Sequence, residues 1–283
     1  MAGSSMKSIK LRIKSVESTM QITRAMQLVA TSKLRRSKER MEMSRPYVGV
    51  SRKAIYAAVR ACTDPNVPFV AARPLRKRCY IVIAGERGLA GGYNANVFKA
   101  VAADAGETPY MVLPIGRKAI EKYQRMGVEL VNTEYGHVET LRISKCFTLV
   151  RQLLEAYYEE RFDELVMVYT SFVSMMSQEV RVEKLLPVVP DDDVQAESRN
   201  VQTVYDPSPE ETLVKAMPDY LAGRLYAAGC DAFASEVAAR RNAMDSATKN
   251  AGEMIDDLRL KFNRARQGAI TQEITEIVAG SEN

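Results

Sequence analysis

The chain has 283 residues and a formal net charge of +5; 46% of the residues are hydrophobic and 27% are charged. This composition is typical of a soluble globular protein with one large or two ordinary domains, and no apolar run approaches the roughly 18 residues of a transmembrane helix. Four scattered cysteines without a C-x-x-C pair and a single histidine argue against a disulfide framework and a metal site.

The N-terminal segment, residues 1–60, carries the first periodic pattern. Apolar and small residues recur in alternating steps of four and three, which is typical of a helix that pairs with another helix. The pattern runs through Ile9, Ile13, Val16, Met20, Thr23, Gln27, Ala30 and Leu34. We predict one helix from Ile9 to Arg45, about 55 Å long, that ends before Pro46.

This helix is strongly basic, since residues 1–45 hold 11 Lys and Arg against 3 Glu, a net charge of +8. Two interpretations are open: the solvated outer face of a coiled coil, or a basic coiled coil that binds nucleic acid. The segment has no Phe, Tyr or Trp to stack on a base, which favours the first. It also has no apolar run of signal-peptide type, which argues against a targeting peptide.

Between residues 75 and 206, short β-branched runs alternate with helical stretches. Strands are predicted at Cys79–Ala84, Tyr110–Ile115, Leu165–Phe172 and, as an edge strand, Glu179–Leu186. Helices are predicted at Arg117–Met126 and Glu139–Arg161. This alternation predicts a central Rossmann-like α/β domain with a mostly parallel sheet. A polar loop, residues 187–200, and a short returning strand, Val201–Tyr205, are expected to close the domain.

A glycine-rich loop, Gly85–Asn94, follows the first predicted strand, where doubly wound domains bind nucleotide phosphates. Its spacing matches neither the G-x-G-x-x-G fingerprint nor the P-loop, so we interpret it as a structural turn. The single histidine, His137, lies in a predicted loop without a second catalytic motif. A nucleotide-binding α/β enzyme therefore stays as an alternative with less support.

The last segment, residues 208–283, predicts a second long helix. Ser208 as N-cap, Pro209 at the first helical position and Glu211 form a capping-box start, and a kink is expected at Pro218. The residues from Asp219 to Asn283 predict one unbroken amphipathic helix, on the order of 95 Å long. Its four-three pattern runs through Val237, Met244, Thr248, Ala251, Ile255, Leu258, Phe262 and Ala265, and Arg241 interrupts it.

We predict that the two terminal helices pair as an antiparallel coiled coil. Because the second helix is the longer one, its last turns extend beyond the end of the first. Those turns carry Ile270, Ile274, Ile277 and Val278. Contiguous exposed apolar surface of this kind marks an interface with another protein.

Five blocks of sequence occur in the order found in one protein family. They are Thr19–Met26, Val29–Leu34, Arg87–Asn94, Met244–Ala251 and Ile270–Val278. On these blocks the chain resembles the γ subunits of F-type ATP synthases over nearly its whole length. It departs from the family at Ala90, where many members have Cys, and at Gly85–Glu86, where Ser-Asp is common. Both departures concern loop details.

The resemblance implies a rotor shaft with no catalytic, cofactor-binding or metal-binding residues and no nucleic-acid partner. In this family the coiled coil stands inside a ring of alternating α and β subunits, and the α/β domain meets the ε subunit and the membrane-embedded c ring. Ion flow turns the c ring, and the shaft carries torque to the catalytic sites during ATP synthesis or hydrolysis. The expected location is the cytoplasmic face of a bacterial plasma membrane, with the mitochondrial matrix face as the alternative.

The resemblance also implies which residues contact other subunits. The implied contacts are Arg24, Met26 and Gln27 with the lever region of a β subunit; Arg266, Gln267 and Gln272 with β loops; Ile270, Ile274 and Ile277 with an apolar collar; and Tyr205, Asp206 and Glu210 with the c ring. Core packing between the helices is the alternative for Met26. A solvated helix face is the alternative for Arg266 and the two glutamines.

Overall fold

The computed structural model describes residues 2–134, 137–190 and 203–281. The elements in chain order are α1 (Ala2–Ala61), β1 (Arg78–Ile83), α2 (Tyr93–Ala105), β2 (Tyr110–Ile115), α3 (Arg117–Met126), a 3₁₀ turn (Val138–Thr140), α4 (Ile143–Tyr158), β3 (Glu164–Phe172), β4 (Gln178–Leu186) and α5 (Pro209–Ser281). Two units can be separated. The coiled-coil unit contains α1 up to residue 32 and α5 from residue 240, and the α/β unit contains residues 33–239.

Helix α1 is longer than the sequence predicts, because it continues through Pro46 to Ala61. A proline inside a helix removes one main-chain donor and costs about 3 kcal/mol. Pro46 is exposed, so water can hydrate the carbonyl of Glu42 that loses its partner. The turns that follow bury Ile55 and Val59 in the core of the α/β unit, and this packing stabilises the continued helix.

Helix α5 begins as the sequence predicts. The main-chain N–H of Glu211 donates to the hydroxyl of Ser208 at 3.2 Å, and Pro209 is the first helical residue. The helix then includes Pro218 and continues to Ser281 as one element.

The sheet has the strand order β2-β1-β3-β4, with β1 parallel to both β2 and β3. Strand β4 is antiparallel to β3 and forms one edge, so the sheet is mixed but mostly parallel, as predicted. In register, Tyr80 of β1 pairs with Val112 on one side and Val166 on the other.

The two faces of the sheet carry separate apolar clusters, because successive side chains of a strand point to opposite faces. On one face Ile81 belongs to a cluster with Leu149 of α4 and Leu221 of α5. On the other face Val82 belongs to a cluster with Val97 of α2. Helices therefore cover both faces of the sheet.

Helix α4 is shorter than the predicted segment Glu139–Arg161. The guanidinium of Arg40 donates to the main-chain carbonyl of Glu139 at 2.9 Å and to that of Leu141, and Leu141 has extended dihedral angles. These carbonyls therefore accept hydrogen bonds from the side chain of Arg40 rather than from main-chain N–H groups of an α-helix. At the other end Glu160 has φ +54, which stops the helix.

The predicted short strand Val201–Tyr205 is wrong over its described part, Thr203–Tyr205, which lies outside the sheet. Tyr205 packs, partly buried, against the apolar core instead of pairing at a strand edge. The rest of that prediction and residues 191–200 of the predicted polar loop lie outside the described residues.

Candidate functional site

A polar layer inside the coiled-coil unit defines how its two helices pair. The hydroxyls of Thr23 and Thr248 lie 2.8 Å apart, and the side-chain amide of Gln27 donates to Asp245 Oδ1 at 2.8 Å. Residue numbers rise on α1 as they fall on α5, so the helices are antiparallel, as predicted.

Counting outward from the two threonines gives the register of the whole pair. In the antiparallel direction, Met20 falls opposite Ala251, Val16 opposite Ile255, Ile13 opposite Leu258, and Ile9 opposite Phe262. Ala251, Ile255 and Leu258 are buried. These are the residues that the four-three pattern singles out, so both predicted seams face each other.

The same register explains why Arg241 interrupts the pattern on α5. Counting from Thr23 and Thr248 in the other direction places Arg241 opposite Ala30. Ala30 is buried, and its methyl group is the smallest side chain after the hydrogen of glycine. Its small size leaves room for a long side chain, and Arg241 is accordingly half-buried.

Helix α5 extends past its partner. In this register Ala2, the first described residue of α1, falls opposite Ala269, so the turns from Ile270 to Ser281 have no counterpart on the described part of α1. At about 1.5 Å per residue the overhang is roughly 18 Å long. Its side chains Ile270, Ile274 and Ile277 are 49%, 56% and 67% exposed. The side chain of Val278, predicted to share this stripe, lies outside the described residues.

The three residues that the resemblance places against the lever region of a β subunit differ in their surroundings. Arg24 is exposed, Met26 is half-buried, and Gln27 is half-buried and hydrogen-bonded to Asp245. Ile22, one turn before Met26, is 61% exposed and therefore faces away from the helix seam. Only Gln27 of the three is held by a hydrogen bond across the pair.

The three polar residues that the resemblance places against β loops lie near and on the overhang. Arg266, Gln267 and Gln272 are all exposed. The main-chain carbonyl of Gln267 accepts a hydrogen bond from the Thr271 hydroxyl at 3.0 Å, which belongs to the helix itself. Their side chains are thus placed on the surface of a regular helix.

The residues implied to meet the c ring cluster at the start of α5 in the α/β unit. Asp206 is exposed, and Tyr205 and Glu210 are half-buried. The carboxylate of Glu210 accepts from the main-chain N–H of Thr63 at 2.9 Å, and this bond helps to lower the pKa of Glu210. The contact joins the residues just after α1 to the start of α5.

Helix α5 covers the carboxyl edge of the sheet. Open α/β folds bind ligands at this edge, between strands such as β1 and β3. Glu236 of α5 is only 1% exposed, and a Cβ added to Gly85 would lie 2.8 Å from its Oε1 atom. The hydroxyl of Tyr93 donates to the carbonyl of Ala232 at 2.9 Å. The main-chain N–H of Gly85 donates to Asn94 Oδ1 at 2.7 Å, so this donor is used within the loop.

The single histidine lies beside this edge. Nδ1 of His137 is 3.2 Å from the carboxylate of Glu86, which also accepts from the main-chain N–H of Val138. Burial raises the pKa of Glu86, although Val138 and His137 oppose the shift. This arrangement fastens the segment after residue 136 to the glycine-rich loop, and it contains no nucleophile.

Two acidic residues of α5 lie at this edge and were missed by sequence reasoning: Asp231, which accepts from the main-chain N–H of Phe172 at the end of β3, and the buried Glu236. A signal was present, because both acids lie in a stretch of α5 that is otherwise apolar or small in composition. The described residues contain no cluster of three or more His, Cys, Asp or Glu able to hold a metal ion. None of the described helices combines the length and hydropathy needed to cross a bilayer.

Comparison with known proteins gives the family. A family model described as ATP synthase matches residues 5–283. The chain is 43% identical to the ATP synthase gamma chain of Ruminococcus albus, with 98% of each chain covered. The chain belongs to the ATP synthase gamma chain family. It is also 41% identical to the gamma chain of Alkaliphilus metalliredigens over 99% of each chain, and these findings confirm the resemblance seen in the sequence.

Solved structures share the fold with this gamma-family chain. A chain of the Euglena gracilis mitochondrial ATP synthase, in a structure of OSCP, F1 and c-ring, has a TM-score of 0.70 at 15% identity, with 99% of this chain and 94% of that chain covered. A chain from the central stalk and c-ring structure of the Tetrahymena thermophila enzyme has a TM-score of 0.62 at 22% identity, with 80% and 99% covered. Both confirm the predicted combination of terminal helices and a central α/β domain.

Proposed function

We propose that this chain is the rotor shaft of an F-type ATP synthase and transmits torque between an ion-driven c ring and the catalytic sites of an alternating α/β ring. The observation that carries this proposal is the overhang of α5, where three isoleucines stay exposed beyond the end of α1. Burying one such side chain contributes about 1.5–3 kcal/mol, so a chain that leaves three uncovered gains strongly from an apolar collar.

The chain itself does no covalent chemistry in this proposal. The carboxyl edge of the sheet, which would hold a nucleotide in an α/β enzyme, is filled by Glu236 and the helix that carries it. The α and β subunits bind the nucleotides, and the shaft acts by pushing each β subunit in turn through its conformations.

Contacts between the shaft and the ring are weak individually. The shaft must touch three equivalent β subunits in succession, and exposed ion pairs of about 0–1 kcal/mol suit partners that must separate again. Arg24, Met26 and Gln27 face the lever region of a β subunit, and Arg266, Gln267 and Gln272 bond to β loops. The net charge of +8 over residues 1–45 complements acidic lever loops.

The α/β unit forms the foot of the rotor. Tyr205, Asp206 and Glu210 lie together at the start of α5, where they meet the c ring, and the ε subunit docks beside them. The complex lies on the cytoplasmic face of a bacterial plasma membrane, to which this chain is attached through the c ring.

The test is ATP-driven rotation of a reconstituted α/β ring that contains this chain truncated after Arg266. The truncation removes the three isoleucines and also Gln267 and Gln272, two of the three polar residues assigned to β loops. We therefore expect a clear loss of torque relative to the full chain. The matched control is truncation after Gly280, which leaves the stripe intact and is expected to preserve torque. Unchanged torque in the first truncation counts against the assigned contacts, and a full chain that does not rotate overturns the proposal.

Two further measurements separate this proposal from its alternatives. A nucleotide-binding enzyme predicts that ATP, ADP or NAD raises the unfolding temperature of the isolated chain, whereas a shaft predicts no shift. A nucleic-acid-binding coiled coil predicts duplex affinity that falls steeply with salt, whereas a shaft predicts no such affinity.

A further inference from the structure

One carboxylate joins three elements at the carboxyl end of β3. Asp231 of α5 accepts from the main-chain N–H of Phe172 at 3.2 Å, from the hydroxyl of Ser171 at 3.3 Å, and from the guanidinium of Arg45 at 3.4 Å. Arg45 belongs to α1, and it also donates to the carbonyl of Phe172 at 3.1 Å. The side chain of Asp231 is only 14% exposed.

This junction differs in kind from the apolar packing around it. Apolar contacts between α5 and the sheet are non-directional and resist sliding only through the shape of the packed side chains. Hydrogen bonds to a carboxylate weaken steeply when their angle changes. A junction that holds both terminal helices and a strand through one carboxylate therefore opposes small rotations of the helices against the sheet.

A second contact lies next to it on the same helix. The carbonyl of Ala232 accepts from the hydroxyl of Tyr93, at the start of α2, at 2.9 Å. Residue 231 is thus bonded to the carboxyl end of β3, and residue 232 to the first residue of α2. A third contact joins α5 to the edge strand, because the guanidinium of Arg224 pairs with the carboxylate of Glu183 in β4. Helix α5 is therefore held by polar contacts to two strands and to the start of α2.

We propose that Asp231 is a positioning residue that locks α1 and α5 to the sheet against twist. Rotation applied to the sheet is then passed to the segments of both helices that lie in the α/β unit. The inference rests on the proposed rotor function and extends it, because it names a residue that holds the parts of α1 and α5 inside the α/β unit to the sheet.

The experiment measures the angular fluctuations of the foot in a reconstituted complex whose α/β ring is fixed to a surface and stalled with ADP. A bead is attached at Glu107→Cys, an exposed residue before β2, in a Cys62→Ser background. The test variants are Asp231→Ala and the milder Asp231→Asn. The matched control is Asp219→Asn, which neutralises an exposed acid on the same helix in the same unit.

We expect Asp231→Ala to increase the angular variance about twofold, because the Phe172 N–H and the Ser171 hydroxyl lose this acceptor and Arg45 keeps only the carbonyl of Phe172. Asp231→Asn should give a smaller increase. The control should show the same angular variance as the unsubstituted chain. ATP hydrolysis by assembled particles should be unchanged in all variants. An equal angular variance in Asp231→Ala and in the control would overturn the inference while leaving the rotor proposal intact. A chain without these substitutions that fails to rotate with ATP overturns the rotor proposal itself, and the inference with it.

Discussion

Thr23 and Thr248 meet hydroxyl to hydroxyl at 2.8 Å across the helix pair, although 225 positions separate them in the chain. Each hydroxyl also lies within hydrogen-bond distance of a carbonyl of its own helix, at 3.0 Å to Met20 and 2.8 Å to Met244. The pair therefore marks the register of the coiled coil without leaving either hydroxyl dependent on the other.

This geometry predicts a small cost for removing one hydroxyl. Thr23→Val leaves the Thr248 hydroxyl bonded to the carbonyl of Met244, so we expect a loss of about 0.5–1 kcal/mol in the free energy of unfolding. The double variant with Thr248→Val should be nearly neutral relative to the starting chain, because both polar groups are gone. Urea unfolding followed by helical circular dichroism measures both, and a loss above about 2 kcal/mol in the single variant would contradict this account.

Gly116 sits where no side chain fits. Its φ is +97, and an added Cβ would lie 1.9 Å from the carbonyl oxygen of Ala84. We expect Gly116→Ala to lower the free energy of unfolding by about 3 kcal/mol or more, since the main chain of a buried strand end must shift. The control is Gly127→Ala, where φ is +69 with no atom within 4 Å, so the cost is about 1–2 kcal/mol. Similar losses in both, measured by urea unfolding, would refute the role of the close contact.

Asp163 links stability to pH. Its carboxylate is 1% exposed and accepts from the main-chain N–H groups of Arg76 at 2.6 Å and Lys77 at 3.0 Å. Burial acts to raise the pKa of Asp163, but these donors and the Arg76 guanidinium outweigh it and hold the pKa below its usual value. A lowered pKa stabilises the fold above the pKa of the unfolded state, and the contribution is lost as pH falls through the folded-state pKa.

We expect Asp163→Asn to destabilise the chain by about 1–3 kcal/mol at neutral pH, because two buried N–H groups lose a charged acceptor. The difference from the unsubstituted chain should shrink as the pH falls below about 4. Urea unfolding at a series of pH values measures this, with the exposed Glu107→Gln as the control. A difference that stays constant down to about pH 2 would rule out the linkage.

The exposed isoleucines allow stability and assembly to be separated. Ile274→Asp changes an exposed side chain, so the unfolding free energy of the isolated chain should change by less than about 0.5 kcal/mol. If a collar buries Ile274, the same change costs about 2 kcal/mol or more in assembly, which is roughly a 30-fold weaker affinity. Titrating the chain into α and β subunits and following ATP hydrolysis measures the affinity.

The control for this experiment is Thr275→Asp, which places the same charge at an exposed neighbouring position outside the isoleucine stripe. Equal effects of the two substitutions on assembly would argue that charge alone matters. No effect of Ile274→Asp would argue that the overhang stays in solvent.

Local patterns predicted the secondary structure closely where neighbours in sequence decide it. Strand β2 and helix α3 have the predicted bounds, and β1 begins and ends one residue earlier than predicted. The predictions failed where distant residues intervene. Arg40 takes carbonyls near the start of α4 from about a hundred positions away, and core packing carries α1 through Pro46.

The sequence by itself determined that there are two long terminal helices and that they pair, because the four-three spacing of apolar residues is a property of each helix alone. It also determined the overhang, since one periodic segment is longer than the other. It did not determine where α1 ends, because core packing carries that helix through Pro46 to Ala61. Only the tertiary structure decided which polar residues meet, such as Gln27 with Asp245, or Asp231 with Arg45 and the end of β3. These contacts join residues far apart in the chain, and no local pattern records a distance that exists only after the elements have packed.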